Sequence, residues 1–208
     1  MRPEDVLKKL EACGALHLNT HVALQGRRHG DAYIDFKKVF LDASLAAEFC
    51  EALATACADL KPDAVVGPPM GADRLAYETG LNLALYQNRV VMTPFAEKTA
   101  GPEKFEFRPE FAKAFSGKTF LIIEDVKKTG DSADALGAVV QRHGGIIIGK
   151  AAVVDRRPSV GGFRSLLQLD LLDWPEDECK LCGVVDLNRT VGQWKDFDAR
   201  HPRLGGSS

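Results

Sequence analysis

The chain has 208 residues, 27 Lys and Arg against 29 Asp and Glu, a formal net charge of −2 and 45% hydrophobic residues. That composition is globular, and at ~100–200 residues per domain it predicts one domain over 1–208 with ample length to bury a core. No apolar run reaches the ~18 residues of a membrane span, no signal-peptide core follows Met1, and near-neutral charge lacks a basic stripe, so neither membrane nor nucleic acid is an expected partner.

The first expected element is an amphipathic helix with Val6, Leu7, Leu10 and Cys13 on one side, closed by Gly14. Ala15-Leu16-His17-Leu18 and then the polar stretch LQGRRHGDAYIDF predict short strands and turns. A second helix is expected from Ser44 to Leu60, with Leu45, Phe49, Leu53, Cys57 and Leu60 on one face and Pro62 as its stop. Apolar runs at Ala64–Gly67, Val90–Thr93, Phe120–Ile123, Ile146–Val154 and Leu166–Leu169 follow, separated by helical or loop segments. Runs apolar on both faces suit parallel strands covered by helices on each side. The expected fold is α/β: a doubly wound, mostly parallel five-stranded sheet with flanking helices. Residues 44–171 form its core, and 1–43 with about 172–203 form a small cap. The Gly-Gly-Ser-Ser end is expected to fray.

Of five cysteines, Cys13, Cys50 and Cys57 fall in helical patterns and read as small buried hydrophobes. Cys179 and Cys182 form a single CxxC with no second pair and no close His following, so no metal ligands are expected there and zinc is the lesser alternative. Reduced thiols fit a cytoplasmic location.

In such sheets ligands bind beyond the carboxyl ends of the strands. After Phe120–Ile123 come Glu124, Asp125, Val126, Lys127, Lys128, Thr129, Gly130, Asp131 and Ser132, then a helical pattern with Leu136, Val139 and Val140 on one face. A turn opening a helix presents free N–H groups and the positive end of the helix dipole, an anion site. Gly130 lets the backbone close around a phosphate, Thr129 and Ser132 add hydroxyls, and the lysines add charge. The acidic pair would repel that phosphate unless it faces something else, and two carboxylates suit the vicinal hydroxyls of a sugar. Phosphate at one end and diol at the other describe a ribose 5-phosphate. The plain alternative is an acidic helix cap with solvated lysines.

LIIEDVKKTGDS resembles the phosphoribosyl pyrophosphate (PRPP) motif of the type I phosphoribosyltransferases, and among these the chain is most similar to the orotate phosphoribosyltransferases over nearly its whole length. GRRHGDAYIDF is similar to their Ser-Gly-x-His-Ser-Asp-x-Tyr segment, and DAVVGPPMGADRLAYETG looks like their pyrophosphate-loop strand and helix. FAEK at Phe95–Lys98 resembles the opening of their mobile catalytic loop, VVDRRP at Val153–Pro158 the Asp-Arg after their next strand, and CKLC with LNRTVG a Cys-Pro-Leu-Cys tail in one branch. Ser116-Gly117-Lys118-Thr119 mimics the end of a Walker A motif, but Ala112 replaces its first Gly and a strand follows rather than precedes it, so a turn is expected.

The resemblance implies displacement of pyrophosphate from PRPP by a nitrogen of orotate, with Mg²⁺ held mainly by substrate and water. The alternatives are the same reaction on a different nucleobase, or a PRPP-sensing regulatory protein of this fold without turnover. It implies catalytic roles for Lys98, Lys104 and Asp125. Glu124 and Asp125 would hold the ribose hydroxyls, residues 128–132 would cradle the 5′-phosphate, and Lys98 and Lys104, with Arg108 as a third candidate, would reach the pyrophosphate from a closing loop. The alternative for that segment is a solvated hairpin. Gly67–Ala72 would form a backbone cradle that in related transferases carries an unusual cis peptide. Arg156, with Lys128, would bind the base, since a guanidinium fork matches a carboxylate; a structural salt bridge to Asp155 or Asp173 is the alternative. Tyr33 and Phe36 would either close over the base or pack in the core. A homodimer is implied, with a loop lysine crossing to the neighbour's site. The chain departs from the orotate pattern at Lys128 (usually Thr), Leu24 (often Lys), Gln25 (Ser) and Gly71 (Lys in some). A cation at 128 favours an acidic base.

Overall fold

The third apolar run supplies the centre of the fold. Thr119–Lys127 forms one strand, whose Leu121 and Ile123 enter one hydrophobic core while Phe120 and Ile122 enter another. This two-residue alternation is that of a strand covered on both faces. The computed structural model describes residues 1–100, 104–156 and 162–200.

In chain order the elements are α1 (Pro3–Ala12), β1 (Leu16–His17), β2 (Val22–Leu24), β3 (Arg28–Gly30), β4 (Tyr33–Ile34), α2 (Ala43–Ala56), β5 (Ala64–Val66), α3 (Ala72–Gln87), β6 (Glu97–Lys98), β7 (Phe105–Glu106), α4 (Pro109–Ala112), β8 (Thr119–Lys127), α5 (Asp131–Arg142), β9 (Ile146–Asp155), β10 (Arg164–Gln168), β11 (Asp173–Pro175) and α6 (Trp194–Arg200). Asp42 caps α2 by accepting from the N–H groups of Ser44 and Leu45. The helix ends at Ala56, short of the expected Leu60, because the Cys57 N–H closes it in a tighter turn onto Leu53 and Ala54.

Among the described residues the main sheet has four strands, ordered β10-β9-β8-β5 and parallel throughout. The expected fifth strand, Val90–Thr93, is reduced to a single bridge from Met92 to Ala64. The Val65 N–H donates to Met92 O at 2.8 Å and the Met92 N–H to Asp63 O at 2.9 Å. Pro94 has no N–H to extend that ladder. With this bridge the five apolar runs stand in the spatial order 2-1-3-4-5, so the chain changes direction between β5 and β8. In a doubly wound sheet that switch point is where a ligand crevice opens.

One face of the sheet is covered by α1, α2 and α3, whose Val6, Leu10, Phe49, Leu53, Leu75 and Leu83 pack with Leu121, Ile123 and Val153. The other is covered by α5, whose Leu136, Val139 and Val140 pack with Phe107, Phe115, Phe120 and Ile122. Residues 1–43, expected in the cap, divide. Val6, Leu10, Leu16, Phe36 and Val39 join the first core, whereas β3 pairs with both β2 and β11 in a three-stranded antiparallel hood. Gly117, at φ +71°, makes the turn before β8 that the sequence around Ser116 predicts. Among the described residues no helix is long and apolar enough to cross a membrane.

Candidate active site

A cleft of about 250 Å³ lies at the switch point, between Pro68, Pro69, Met70 and Ala72 after β5 and residues 124–132 of β8 and its following turn. β8 continues past Ile123, so Glu124 and Asp125 stand near the end of the strand rather than in the loop expected for them. Burial, then the Asp125 charge, push the Glu124 carboxyl up to about 8, against the pull of a hydrogen bond from the Ala133 N–H. Burial also raises Asp125, opposed by backbone N–H groups (Val126 N–H to Oδ1, 2.7 Å) and by the Lys37 charge. Two desolvated carboxyls side by side gain from any cation or hydroxyl donor that enters.

The turn beyond them is built for an anion. Gly130 takes φ +96°, a left-handed conformation a side chain would resist, and α5 starts at the next residue with its first N–H groups facing the cleft end. The Asp131 N–H approaches Thr129 Oγ1 at 3.4 Å. The two lysines differ from their expected role as charges for this turn. The Lys127 ammonium is fully buried, 2.9 Å from Asp155 Oδ1, so only its backbone faces the site. Lys128 Nζ lies 2.9 Å from Asp173 Oδ2 at the start of β11, and Asp173 Oδ1 also accepts from Arg28 Nε at 2.8 Å. Burial of Asp173 works against ionisation, yet the hydrogen bonds from Lys128 and Arg28 hold its carboxyl below the usual range. The hood is thereby tied to the turn between β8 and α5.

On the opposite wall the Pro69–Met70 peptide is cis, as the resemblance implies. A side chain at Gly67 would collide with the Ala72 carbonyl, and Gly71 takes φ +134° with Asp125 Oδ2 3.3 Å from where its Cβ would stand. Asp73 Oδ1 accepts from the Gly71 N–H at 2.7 Å and the Arg74 N–H at 3.0 Å, so part of this cradle's donor set is held by its own helix. Lys37 and Arg74, which the sequence reading passed over, border Met70 and Gly71 in an adjoining hollow of about 250 Å³. The available signal was the position of Lys37, next to the singled-out Phe36.

The remaining predicted residues lie around the cleft. β6 and β7 pair as a hairpin, with Lys98 opposite Phe105. Lys98 and Lys104 are exposed and do not line the cleft of their own chain. Arg108 Nε is 2.7 Å from Glu97 Oε1 within the hairpin, and Gly101 and Pro102 of the expected loop centre lie outside the described residues. So do Arg157 and Pro158 of the VVDRRP run and the Gly-Gly-Ser-Ser end. Arg156 follows β9, its N–H donating to Lys127 O at 2.9 Å, with its side chain largely buried. Phe36 packs in the core against Phe40 and Phe49, with Tyr33 half-buried in β4. Leu24 ends β2 and lies against Gly30, so it braces the hood hairpin. The CxxC departs from expectation: His21 and His29, far upstream, lie against it, Cys182 Sγ being 3.2 Å from His29 Nδ1.

No family model matches the chain. It is 32% identical over 187 residues to the orotate phosphoribosyltransferase of Caldicellulosiruptor saccharolyticus, covering 88% of this chain and 93% of that one. It is 31% identical over 192 residues to the orotate phosphoribosyltransferase of Acidithiobacillus ferrooxidans, with the same coverages. Among solved structures, Mycobacterium tuberculosis H37Rv orotate phosphoribosyltransferase in complex with Fe(III) dicitrate superposes with a TM-score of 0.60 at 25% identity, covering 80% of this chain and 97% of that chain.

Proposed function

Because the chain belongs to the orotate phosphoribosyltransferase family, we propose that it transfers the phosphoribosyl group of PRPP to orotate, giving orotidine 5′-phosphate and pyrophosphate in pyrimidine synthesis. The observation that carries this reading is the cleft itself: two buried carboxyls on a strand end, an anion turn opening a helix, and a second loop facing both across the switch point.

Residues 128–132 hold the 5′-phosphate through backbone N–H groups and the hydroxyls of Thr129 and Ser132. Glu124 and Asp125 accept hydrogen bonds from the ribose hydroxyls. The anomeric carbon then faces the base side, where bond breaking runs ahead of bond making and positive charge grows on the ring. The acidic pair stabilises it, ionising as that positive charge and a bound cation offset their burial and mutual repulsion, and no protein nucleophile is required. The pyrophosphate leaves toward the Gly67–Ala72 loop, where Lys37 and Arg74 add positive charge. Buried hard-oxygen donors at 124 and 125 fit Mg²⁺, which when bound by substrate and water supplies charge neutralisation on the departing pyrophosphate. Arg156 and Lys128 pair with the orotate carboxylate, Lys128 by leaving Asp173, which Arg28 still holds.

A homodimer completes the site. Tyr77, Leu81 and Leu85 form an exposed stripe on α3, with Phe95 nearby and the hairpin carrying Lys98 and Lys104 just beyond. A second copy packed on that stripe would offer those lysines to the neighbouring cleft; the exposed apolar stripe beside the hairpin is what supports this arrangement. A cytoplasmic location, where thiols stay reduced, is the reading that the unpaired cysteines fit. The direct test is pyrophosphate release from PRPP with Mg²⁺ and orotate. Release that requires orotate supports the proposal; PRPP binding without release from any base would replace it with a sensing role.

A further inference from the structure

We propose that His21, His29, Cys179 and Cys182 bind one zinc ion that fastens the hood. Their ligand atoms all lie within 4.8 Å of one another. His21 Nε2 is 2.9 Å from His29 Nδ1, 3.5 Å from Cys179 Sγ and 3.7 Å from Cys182 Sγ, and Cys182 Sγ is 3.2 Å from His29 Nδ1. A tetrahedral zinc with Zn–N of about 2.0–2.1 Å and Zn–S of about 2.3 Å sets its ligand atoms about 3.3–3.8 Å apart, so small outward shifts admit the ion.

The protonation pattern fits as well. His21 Nδ1 lies 2.8 Å from the Val185 carbonyl oxygen, which can only accept, so the ring proton is on Nδ1 and the Nε2 lone pair faces the cluster. Such an outer hydrogen bond is what fixes the tautomer and orientation of a zinc-bound imidazole. Both imidazoles are buried, and the thiols come from a two-residue-spaced pair, the spacing of structural zinc sites. On binding, each thiol gives up its proton to solvent and no electron moves. Four protein ligands close the coordination sphere, so the site is structural rather than catalytic.

The hood needs such a fastener. Its buried apolar residues Val22, Ala23, Leu171 and Val191 belong to neither of the two hydrophobic cores. A small lobe without its own core is commonly held by a metal or a disulfide. The ligands join the β2–β3 hairpin to a segment more than 150 residues later, closing the hood on β11. The proposal is independent of which base the enzyme uses.

The test is metal content and ligand chemistry on the purified, reduced full-length protein. About one zinc per chain is expected by elemental analysis, with X-ray absorption fitting two sulfur and two nitrogen neighbours. Replacement by Co²⁺ should give the visible bands of a tetrahedral site with thiolate charge transfer. Cys182→Ser should lose the charge-transfer intensity in part and His29→Asn should lower zinc occupancy; the wild-type cobalt spectrum carries the test even if either variant folds poorly. Reduced wild-type protein that takes up neither Zn²⁺ nor Co²⁺ overturns the proposal, as does a cobalt spectrum unchanged in Cys182→Ser.

Discussion

Lys128 Nζ stands 2.9 Å from Asp173 Oδ2, joining the turn after β8 to the hood. Asp173 is buried and shared with Arg28, whereas both cations are about one-third exposed. Asp173→Asn should therefore destabilise the protein by about 1–2 kcal/mol near neutral pH, less than a fully buried pair because solvent screens the cations. Asp173 is held below its ordinary range, so its contribution is fully present above about pH 4 and is lost as pH falls through its lowered value. Denaturant unfolding of both proteins should show a gap at pH 7 that closes under strong acid. A gap independent of pH would mean the carboxylate charge is not what holds the hood.

Glu124 predicts the opposite pH dependence. Burial and Asp125 push it up to about 8, so between its unfolded value and about 8 the folded state binds the extra proton. Stability from this group is present at low pH and is lost as pH rises through that window. Without divalent cations, Glu124→Gln should gain stability relative to the parent as pH rises toward 9, while losing turnover. Thermal unfolding across pH reads this directly. A relative stability that does not rise with pH would place an ionised, well-solvated Glu124 in the fold.

Lys98 and Lys104 lie on a hairpin outside their own cleft, so the proposed pyrophosphate role requires the proposed second copy. Lys104→Ala and Asp125→Asn should each be nearly inactive, the latter by roughly 2.7–4 kcal/mol of lost transition-state stabilisation, with the fold intact by circular dichroism. Mixing the two variants and exchanging subunits should restore activity, because one site of each heterodimer then has an intact acid and the neighbour's intact lysine. Activity that stays absent after verified exchange would return the lysine to its own chain's site.

The segment that lines the cleft was legible because it is local. An apolar strand, two acids and a glycine-containing helix start sit within fourteen residues, and Gly130 is free to take the left-handed conformation the turn uses. What escaped the sequence depended on distant partners. Lys127 and Lys128 are adjacent, yet one is buried on Asp155 and the other reaches Asp173, because successive strand residues face opposite ways. His21 and His29 meet the CxxC only after β3 pairs with both β2 and β11, a register that no local pattern encodes. The run at Val90–Thr93 was apolar enough for a strand, but Pro94 limits it to one bridge.

The most direct measurement compares orotate with uracil, which lacks only the carboxylate, in steady-state turnover with PRPP and Mg²⁺. Uracil would leave Arg156 and Lys128 facing an uncharged edge, and losing one charged hydrogen bond of about 1.5–3 kcal/mol costs on the order of tenfold or more. The account predicts kcat/KM at least about tenfold higher for orotate, with Arg156→Ala erasing most of that preference and leaving the KM for PRPP nearly unchanged. A purine reacting best, or a preference for orotate that survives Arg156→Ala intact, would contradict it.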